Sequence, residues 1–199
     1  MHAILAGFRR LADFKGRDSR SQFWPYALTV VGLSFVGLWL GMIPTMTAVF
    51  EQASAVAATN PEAATVVSGP GRYSVEIHDP RFMPDMGPFF LVLRIGVAAV
   101  VILLAAAVTR RLHDTGRAGY WGLPPVVFLT TGLTAFPAAM TSFMQEDAPN
   151  IGLVMLLFLN NVLYMAGLIG LIILLVLDGK KTVNRYGPPP AGSQPASFN

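Results

Sequence analysis

The sequence predicts an all-α membrane protein, a bundle of four transmembrane helices. Of its 199 residues, 53% are hydrophobic and only 13% are charged, whereas about a quarter of the residues in a soluble domain are charged. Lys and Arg cluster before the first apolar run, between the second and third, and after the fourth, while the other two gaps are acidic. The four runs are nearly free of charge and cover about 24–47, 88–109, 121–144 and 151–177.

Each run is long enough to cross a bilayer as a helix, since about twenty residues suffice. Because basic residues stay on the cytoplasmic side, the charge pattern places both termini there (N-in/C-in) and the loop 51–87 outside. We expect one transmembrane domain over residues 1–190. The chain after Tyr186 is rich in Pro, Gly and Ser, and the tail 191–199 is predicted to be disordered.

The segment before the first run has apolar residues near helical spacing and predicts a short N-terminal amphipathic helix. Such a helix either lies at the membrane interface on the cytoplasmic surface or packs against the base of the bundle. Both alternatives stay open. The apolar residues are Ile4, Leu5, Phe8, Leu11 and Phe14.

Within the first run, Gly37 and Gly41 have the GxxxG spacing that permits close helix approach. The pair could serve packing inside the bundle or dimerisation. Beyond this run, the alanine-rich stretch 53–64 is expected to extend the first helix. In the rest of the loop, Tyr73, Val75 and Ile77 alternate with polar residues and predict a short strand, half of a hairpin.

The third run contains Pro124, Pro125 and Pro137 and could be re-entrant rather than spanning. Charge favours a full crossing. If this run turned back, Lys180, Lys181 and the rest of the C-terminal basic cluster would face outward, against the positive-inside rule.

Composition also restricts partners and cofactors. The net charge is +3 and the pI is about 9.5, but the basic residues flank the membrane exits. We therefore expect anionic phospholipids of the bilayer, and not nucleic acid, as partners. Cysteine is absent, which excludes disulfides and thiolate sites. No cofactor is predicted, and no metal site, because His113 and Asp114 have only Asp178 as an obvious third ligand.

Three polar segments lie at the predicted cytoplasmic ends of the spans, at 14–24, 110–121 and 178–188. They read FKGRDSRSQFW, RRLHDTGRAGYW and DGKKTVNRYGP. These segments resemble the three signatures of the bacterial inner-membrane family called domain of unknown function 805, and the likeness covers roughly residues 12–190. The resemblance implies a multi-pass protein of the bacterial inner membrane, with loop 51–87 in the periplasm, and it implies no activity. The chain departs from the family pattern at Ala118, Tyr120, Pro189 and Pro190.

The cationic residues of these segments would converge on one rim, and the first two segments use Arg almost exclusively. Arg presents a planar fork that suits carboxylates and phosphates. One hypothesis is that the rim clamps the helix ends together through Asp18, Asp114 and Asp178. Another is that it binds anionic headgroups, a second copy of the chain, or another membrane protein. The candidate binding residues are Arg17, Arg20, Arg110, Arg111, His113, Asp114, Arg117, Asn184 and Arg185.

The pair His113–Asp114 also allows a membrane enzyme acting on a lipid headgroup, with His113 as acid or base. Neighbours on a helix point about 100° apart, so this aspartate is not expected to orient this histidine. No catalytic residue is therefore assigned, although the enzyme remains an alternative.

Polar residues also occur within the apolar runs. Arg94 lies about 9 Å inside the second run at 1.5 Å per residue, and Asn160 and Asn161 lie at a similar depth in the fourth. Such residues are functional candidates in membrane spans. A conductor of ions or small solutes using Arg94 and Asn160, close enough for a hydrogen bond, is a further alternative. A simpler alternative is that the Arg94 side chain extends toward the outer surface, to Asp85 or Glu146.

Overall fold

The computed structural model describes residues 2–145 and 150–190, and helices make up 71% of the structure. Within the described residues, four helices are long and apolar enough to cross a membrane. This confirms the prediction of a mostly helical protein with four helices that could span a bilayer. Glu146 and the tail 191–199 lie outside the described residues. The helices are α1 (His2–Arg9), α2 (Arg20–Thr59), α3 (Gly87–Asp114), α4 (Leu123–Gln145) and α5 (Ile151–Val176).

Helix α2 is longer than its apolar run. It begins at Arg20, where Ser19 and Gln22 form a capping box, and its 40 residues span about 60 Å at 1.5 Å per residue. The alanine-rich stretch does extend it, but only to Thr59. Helix beyond this point is disfavoured by Pro61, which restricts the preceding Asn60. The expected extension to Ala64 is wrong, because Ala64 begins a strand.

The connection between α2 and α3 contains the hairpin that the sequence predicted in part. Strand β1 (Ala64–Gly69) pairs antiparallel with β2 (Arg72–Ile77). The connection contains Gly71 at φ +71°, a conformation that glycine adopts without strain. The Tyr73 ring on β2 lies 5.6 Å from the Phe50 ring on α2, so the hairpin docks on the extended end of that helix.

The third apolar run forms one continuous helix, α4, with Pro137 inside it. Pro124 and Pro125 fall in its first turn, where a missing N–H breaks no helical hydrogen bond. A four-residue 3-10 turn, Gly119–Gly122, leads into it from α3. Residues 123–145 therefore do not turn back on themselves.

The four long helices pack as two antiparallel pairs, α2 with α3 and α4 with α5, and α3 approaches α4 and α5 only sparsely. In the first pair a Cβ on Gly41 would lie 3.2 Å from Val92, whereas Gly37 faces open space. Only Gly41 of the GxxxG pair therefore serves packing inside the chain.

Buried side chains concentrate at one end of the bundle, where α2 begins and α3 ends. We call this end the base. Its core contains Phe23, Tyr26, Ala27, Val30, Ala107, Leu112 and Leu175. Elsewhere few side chains of the four helices are buried, as expected for helices surrounded by lipid.

Helix α1 packs against this base. Gly7 is buried on the ring of Tyr26, and the Phe8 ring meets the same tyrosine edge-on at 5.2 Å. Of the two alternatives for this segment, contact with the bundle is therefore present. Its position at a membrane interface stays a prediction.

Candidate functional site

The three polar segments meet at the base. The first precedes α2, the second ends α3, and the third follows α5. Gly16 at φ +82° and Gly116 at φ +83° make the turns that bring the first two inward, in a region that favours glycine. The main-chain N–H of Asp18 then donates to the Arg110 carbonyl at 3.2 Å.

Asp114 is the centre of the cluster. Its Oδ1 accepts hydrogen bonds from Arg17 Nε at 3.0 Å and Nη2 at 2.9 Å, so two donors of one guanidinium meet a single charged oxygen. Its Oδ2 accepts from Arg111 Nη1 at 2.5 Å. All three residues are buried. One carboxylate therefore joins the first segment to the end of α3.

Asp18 holds a second group of charges. It accepts from Arg110 Nε at 2.7 Å and from Arg10 Nη1 at 3.1 Å. Arg10 also donates to Asp13 at 2.9 Å, and this bond, with one from the Lys15 amide, holds the pKa of Asp13 below its ordinary value. These contacts tie the segment after α1 to α3.

Other guanidinium N–H groups of the cluster donate to main-chain carbonyls. Arg110 Nη1 reaches Arg10 O at 3.0 Å, after α1, whereas Arg111 and Arg17 reach carbonyls at the end of α5 and after it. Arg111 Nε reaches Leu175 O at 2.9 Å, and its Nη2 reaches Leu177 O. Arg17 Nη1 donates to Thr182 O at 2.9 Å and to Gly187 O at 3.2 Å. No buried side-chain nitrogen or oxygen in the described residues lacks a partner. The cluster therefore uses its hydrogen-bonding capacity on the protein itself.

His113 contacts the third segment, not Asp114. Its ring stacks on Tyr186 with centroids 3.7 Å apart, and its Nδ1 lies 3.2 Å from Gly16 O. Asn184 Nδ2 donates to the His113 carbonyl at 3.0 Å. As the helix geometry predicted, the neighbouring aspartate does not orient this histidine.

Arg20 and Asp178 form a separate ion pair at the edge of the cluster. Their side chains are 51% and 81% exposed, whereas Arg110 and Arg111 are 1% and 0% exposed. The base therefore has an inner buried layer and an outer exposed layer.

The outer layer is cationic. In the described part of the chain, every aspartate at the base already pairs with an arginine. Within those same residues, no cluster of metal-ligating side chains occurs. The cations there that form no ion pair with a described carboxylate are Arg9, Lys15, Arg117, Lys180, Lys181 and Arg185.

The structure separates the polar residues of the spans. Arg94 Nη2 donates to Leu133 O at 3.4 Å, while Asn160 Nδ2 donates to Phe128 O at 2.9 Å. The two side chains, which the sequence placed at depths close enough for a hydrogen bond, thus donate to two different main-chain carbonyls of α4. Asn161 lines an apolar cavity between α3, α4 and α5.

Two contributors escaped sequence reasoning. Arg10 lies outside the three polar segments, yet it donates to Asp18. Gly179 lies so close to the Asp114 carboxylate that a Cβ there would overlap it. Its position in the third polar segment, DGKKTVNRYGP, was the available signal.

The four apolar helices and the polar base define a multi-pass helical membrane protein. The chain matches the family described as "Protein of unknown function (DUF805)" over residues 11–188 and belongs to it. No curated protein and no solved structure matches the chain.

Proposed function

We propose that this chain is a small integral protein of the bacterial inner membrane whose cytoplasmic base has two roles. The inner Arg–Asp layer clamps the helix ends and the C-terminal segment. The outer cations bind anionic phospholipid headgroups. Both termini lie in the cytoplasm, and the β-hairpin lies in the periplasm.

The clamping role is supported by the hydrogen bonds of the inner layer, whose donors are already used within the protein. Arg17, Arg110 and Arg111 direct their N–H groups at two aspartates and at carbonyls of the flanking segments. A headgroup would have to displace these bonds inside a buried site. Of the residues singled out from sequence, these three and Asp114 therefore belong to the clamp and not to headgroup binding.

Headgroup binding is supported by the excess of cations over unpaired carboxylates in the outer layer. Its cations are exposed or, for Arg117, partly exposed, while each aspartate of the described base is already paired. Each Lys or Arg near an anionic membrane surface contributes about 1 kcal/mol of attraction. Of the cations predicted to bind headgroups, Arg117 and Arg185 form no ion pair with a described carboxylate. Lys180 and Lys181 share this property and join them in the proposal. Arg185 lies over the Tyr186 ring at 4.7 Å, which fixes its position on this surface.

Native mass spectrometry in nanodiscs tests this role. The discs contain phosphatidylcholine with a minor fraction of phosphatidylglycerol, and the lipids retained after ejection are counted. We expect enrichment of phosphatidylglycerol around the wild type, lost in the combined variant Arg117→Gln, Lys180→Gln, Lys181→Gln, Arg185→Gln. Arg72→Gln, an exposed change on the hairpin, is the control and should retain the enrichment.

Salt gives a second readout. Surface attraction weakens as the Debye length falls to about 8 Å at physiological ionic strength, so the enrichment should decline with added salt. Undiminished phosphatidylglycerol around the combined variant at low salt would refute headgroup binding by these cations.

The two alternatives receive less support from the same contacts. An enzyme using His113 and Asp114 would need the two groups to cooperate, yet Asp114 is held by two arginines. A conductor using Arg94 and Asn160 would need them on one path, yet they bond different carbonyls of α4.

A further inference from the structure

Two cavities on the hairpin side of the molecule meet at Arg94. The first, which we call the vestibule, has a volume of about 690 Å³ and lies between the outer loop and the ends of α3 and α4. The second, the groove, has about 290 Å³ and lies between α3 and α4 deeper in the bundle. Arg94 lines both.

The two cavities differ in chemistry. The groove is almost entirely apolar, with Val97, Val101, Val126 and Leu133 along its walls. Measured along α3, residues 94–102 give it a length of about 12 Å at 1.5 Å per residue. The vestibule carries charged groups as well as apolar ones. An occupant of both would be an amphiphile, with its polar part in the vestibule and an acyl chain in the groove.

Where the vestibule meets the groove, Arg94 favours an anionic group of the occupant. Its guanidinium lies within an apolar run, and in the described part of the chain it makes one hydrogen bond, the long one to Leu133 O. A guanidinium at this depth is stabilised by an anion that also accepts its N–H groups. A phosphodiester at the inner end of the vestibule meets both needs.

At the mouth of the vestibule, Asp85 favours a cationic group of the occupant. It lines the vestibule two residues before α3 begins, and its Oδ1 accepts from the Gly87 amide at 2.8 Å. Arg81, the other charged residue of the lining, forms an ion pair with Asp79 at 2.6 Å. From inside to outside the vestibule therefore presents a cation, then a carboxylate.

This order complements a phospholipid headgroup with phosphate inside and ammonium outside. A primary ammonium has three N–H donors for the Asp85 carboxylate, whereas a quaternary ammonium has none. We propose that the vestibule and groove bind one phosphatidylethanolamine molecule from the leaflet on the hairpin side. Arg94 binds its phosphate, Asp85 its ammonium, and the groove one of its acyl chains.

Competition among three lipids tests the site. The purified full-length protein is exchanged into nanodiscs of phosphatidylethanolamine, phosphatidylcholine and phosphatidylglycerol in equal parts, and lipids that survive detergent washing are identified by native mass spectrometry. We expect one phosphatidylethanolamine per chain. Arg94→Gln should weaken its retention about tenfold or more, since truncating one member of a hydrogen-bonded charge pair has effects of that size.

Asp85→Asn provides a second test at an exposed position outside the helices. It should keep a retained phospholipid but lose the preference for ethanolamine over choline. Arg72→Gln is the matched control for a lost outer-loop cation and should behave as wild type. The combined base variant described above should also keep this lipid, which separates the site from headgroup binding at the base.

Each negative result overturns the proposal. Equal retention of phosphatidylethanolamine by wild type and Arg94→Gln would remove the role of the guanidinium. A wild type that retains the three lipids without preference, or an Asp85→Asn protein that keeps the ethanolamine preference, would remove the headgroup assignment.

Discussion

Arg17 and Asp114 are 97 residues apart in sequence, yet Arg17 Nη2 lies 2.9 Å from Asp114 Oδ1 in a buried ion pair. The pair connects the start of α2 with the end of α3. The same guanidinium reaches the carbonyls of Thr182 and Gly187, so one side chain joins three separate stretches of the chain. The first α-helical pair and the C-terminal segment are thereby held at one end.

Removing the central carboxylate should be severe. Asp114→Asn leaves the guanidiniums of Arg17 and Arg111 buried without their anion, and breaking a buried pair in this way costs about 3 to 5 kcal/mol. We expect that loss in the free energy of unfolding, measured by reversible denaturation in mixed detergent micelles. The matched control is Asp178→Asn, whose pair with Arg20 is exposed and should contribute about 0 to 1 kcal/mol. Similar losses for the two variants would contradict a buried clamp.

The second prediction concerns the glycine beside that carboxylate. Gly179→Ala places a methyl group where the Asp114 carboxylate lies, so the third segment must move away from the base. Overpacking of this kind typically costs about 1 to 3 kcal/mol. We expect faster amide exchange in residues 178–187, measured by hydrogen–deuterium exchange. Gly170→Ala is the control, because a Cβ there meets nothing within 4 Å, and unchanged exchange at 178–187 in Gly179→Ala would refute the contact.

Much of the fold could be predicted because lipid demands long apolar helices. Helix α3 begins at Gly87, beside the expected residue 88, and α5 covers Ile151–Val176, close to the expected 151–177. The length of α2 was harder to predict, because alanine continues a helix in or out of the membrane. Its end depended on Pro61, whereas the expectation for the stretch 53–64 followed its overall alanine content.

The site was predicted as a set of residues but not as a set of contacts. The positive-inside pattern brings Arg17, Arg111 and Asp114 to one face, yet it does not pair them, because pairing depends on how α3 lies against the C-terminal segment. The sequence also left open whether the rim clamps the helix ends or is accessible to headgroups. Burial of Arg110 and Arg111 becomes possible only because main-chain carbonyls accept their remaining N–H groups, and main-chain positions are not visible in residue types.

The third prediction concerns the docking of α1. Gly7→Ala introduces a Cβ that overlaps the Tyr26 ring, so α1 should separate from α2. We expect loss of amide protection in residues 2–9 by hydrogen–deuterium exchange, with α2 unaffected. Gly37→Ala, which faces open space, should leave α1 protected. If α1 exchanges at the same rate in Gly7→Ala and in the wild type, the Gly7–Tyr26 contact does not hold this helix.

The final prediction tests the orientation of the chain in the membrane. Because cysteine is absent, single cysteines can be placed without a background signal. We choose His2→Cys in α1, Ser68→Cys in the hairpin and Val183→Cys in the C-terminal segment, all at exposed positions and none replacing Lys or Arg. Four crossings with basic ends inside place the hairpin on the opposite face from the other two.

An impermeant maleimide added to cells with a permeabilised outer membrane and an intact inner membrane should therefore label Ser68→Cys. The variants His2→Cys and Val183→Cys should react only after the inner membrane is also opened. Labelling of His2→Cys and Val183→Cys from opposite faces would mean an odd number of crossings. In that case the third segment could not meet the first at a cytoplasmic base, and the bonds from Arg17 to Thr182 and Gly187 could not form in the membrane.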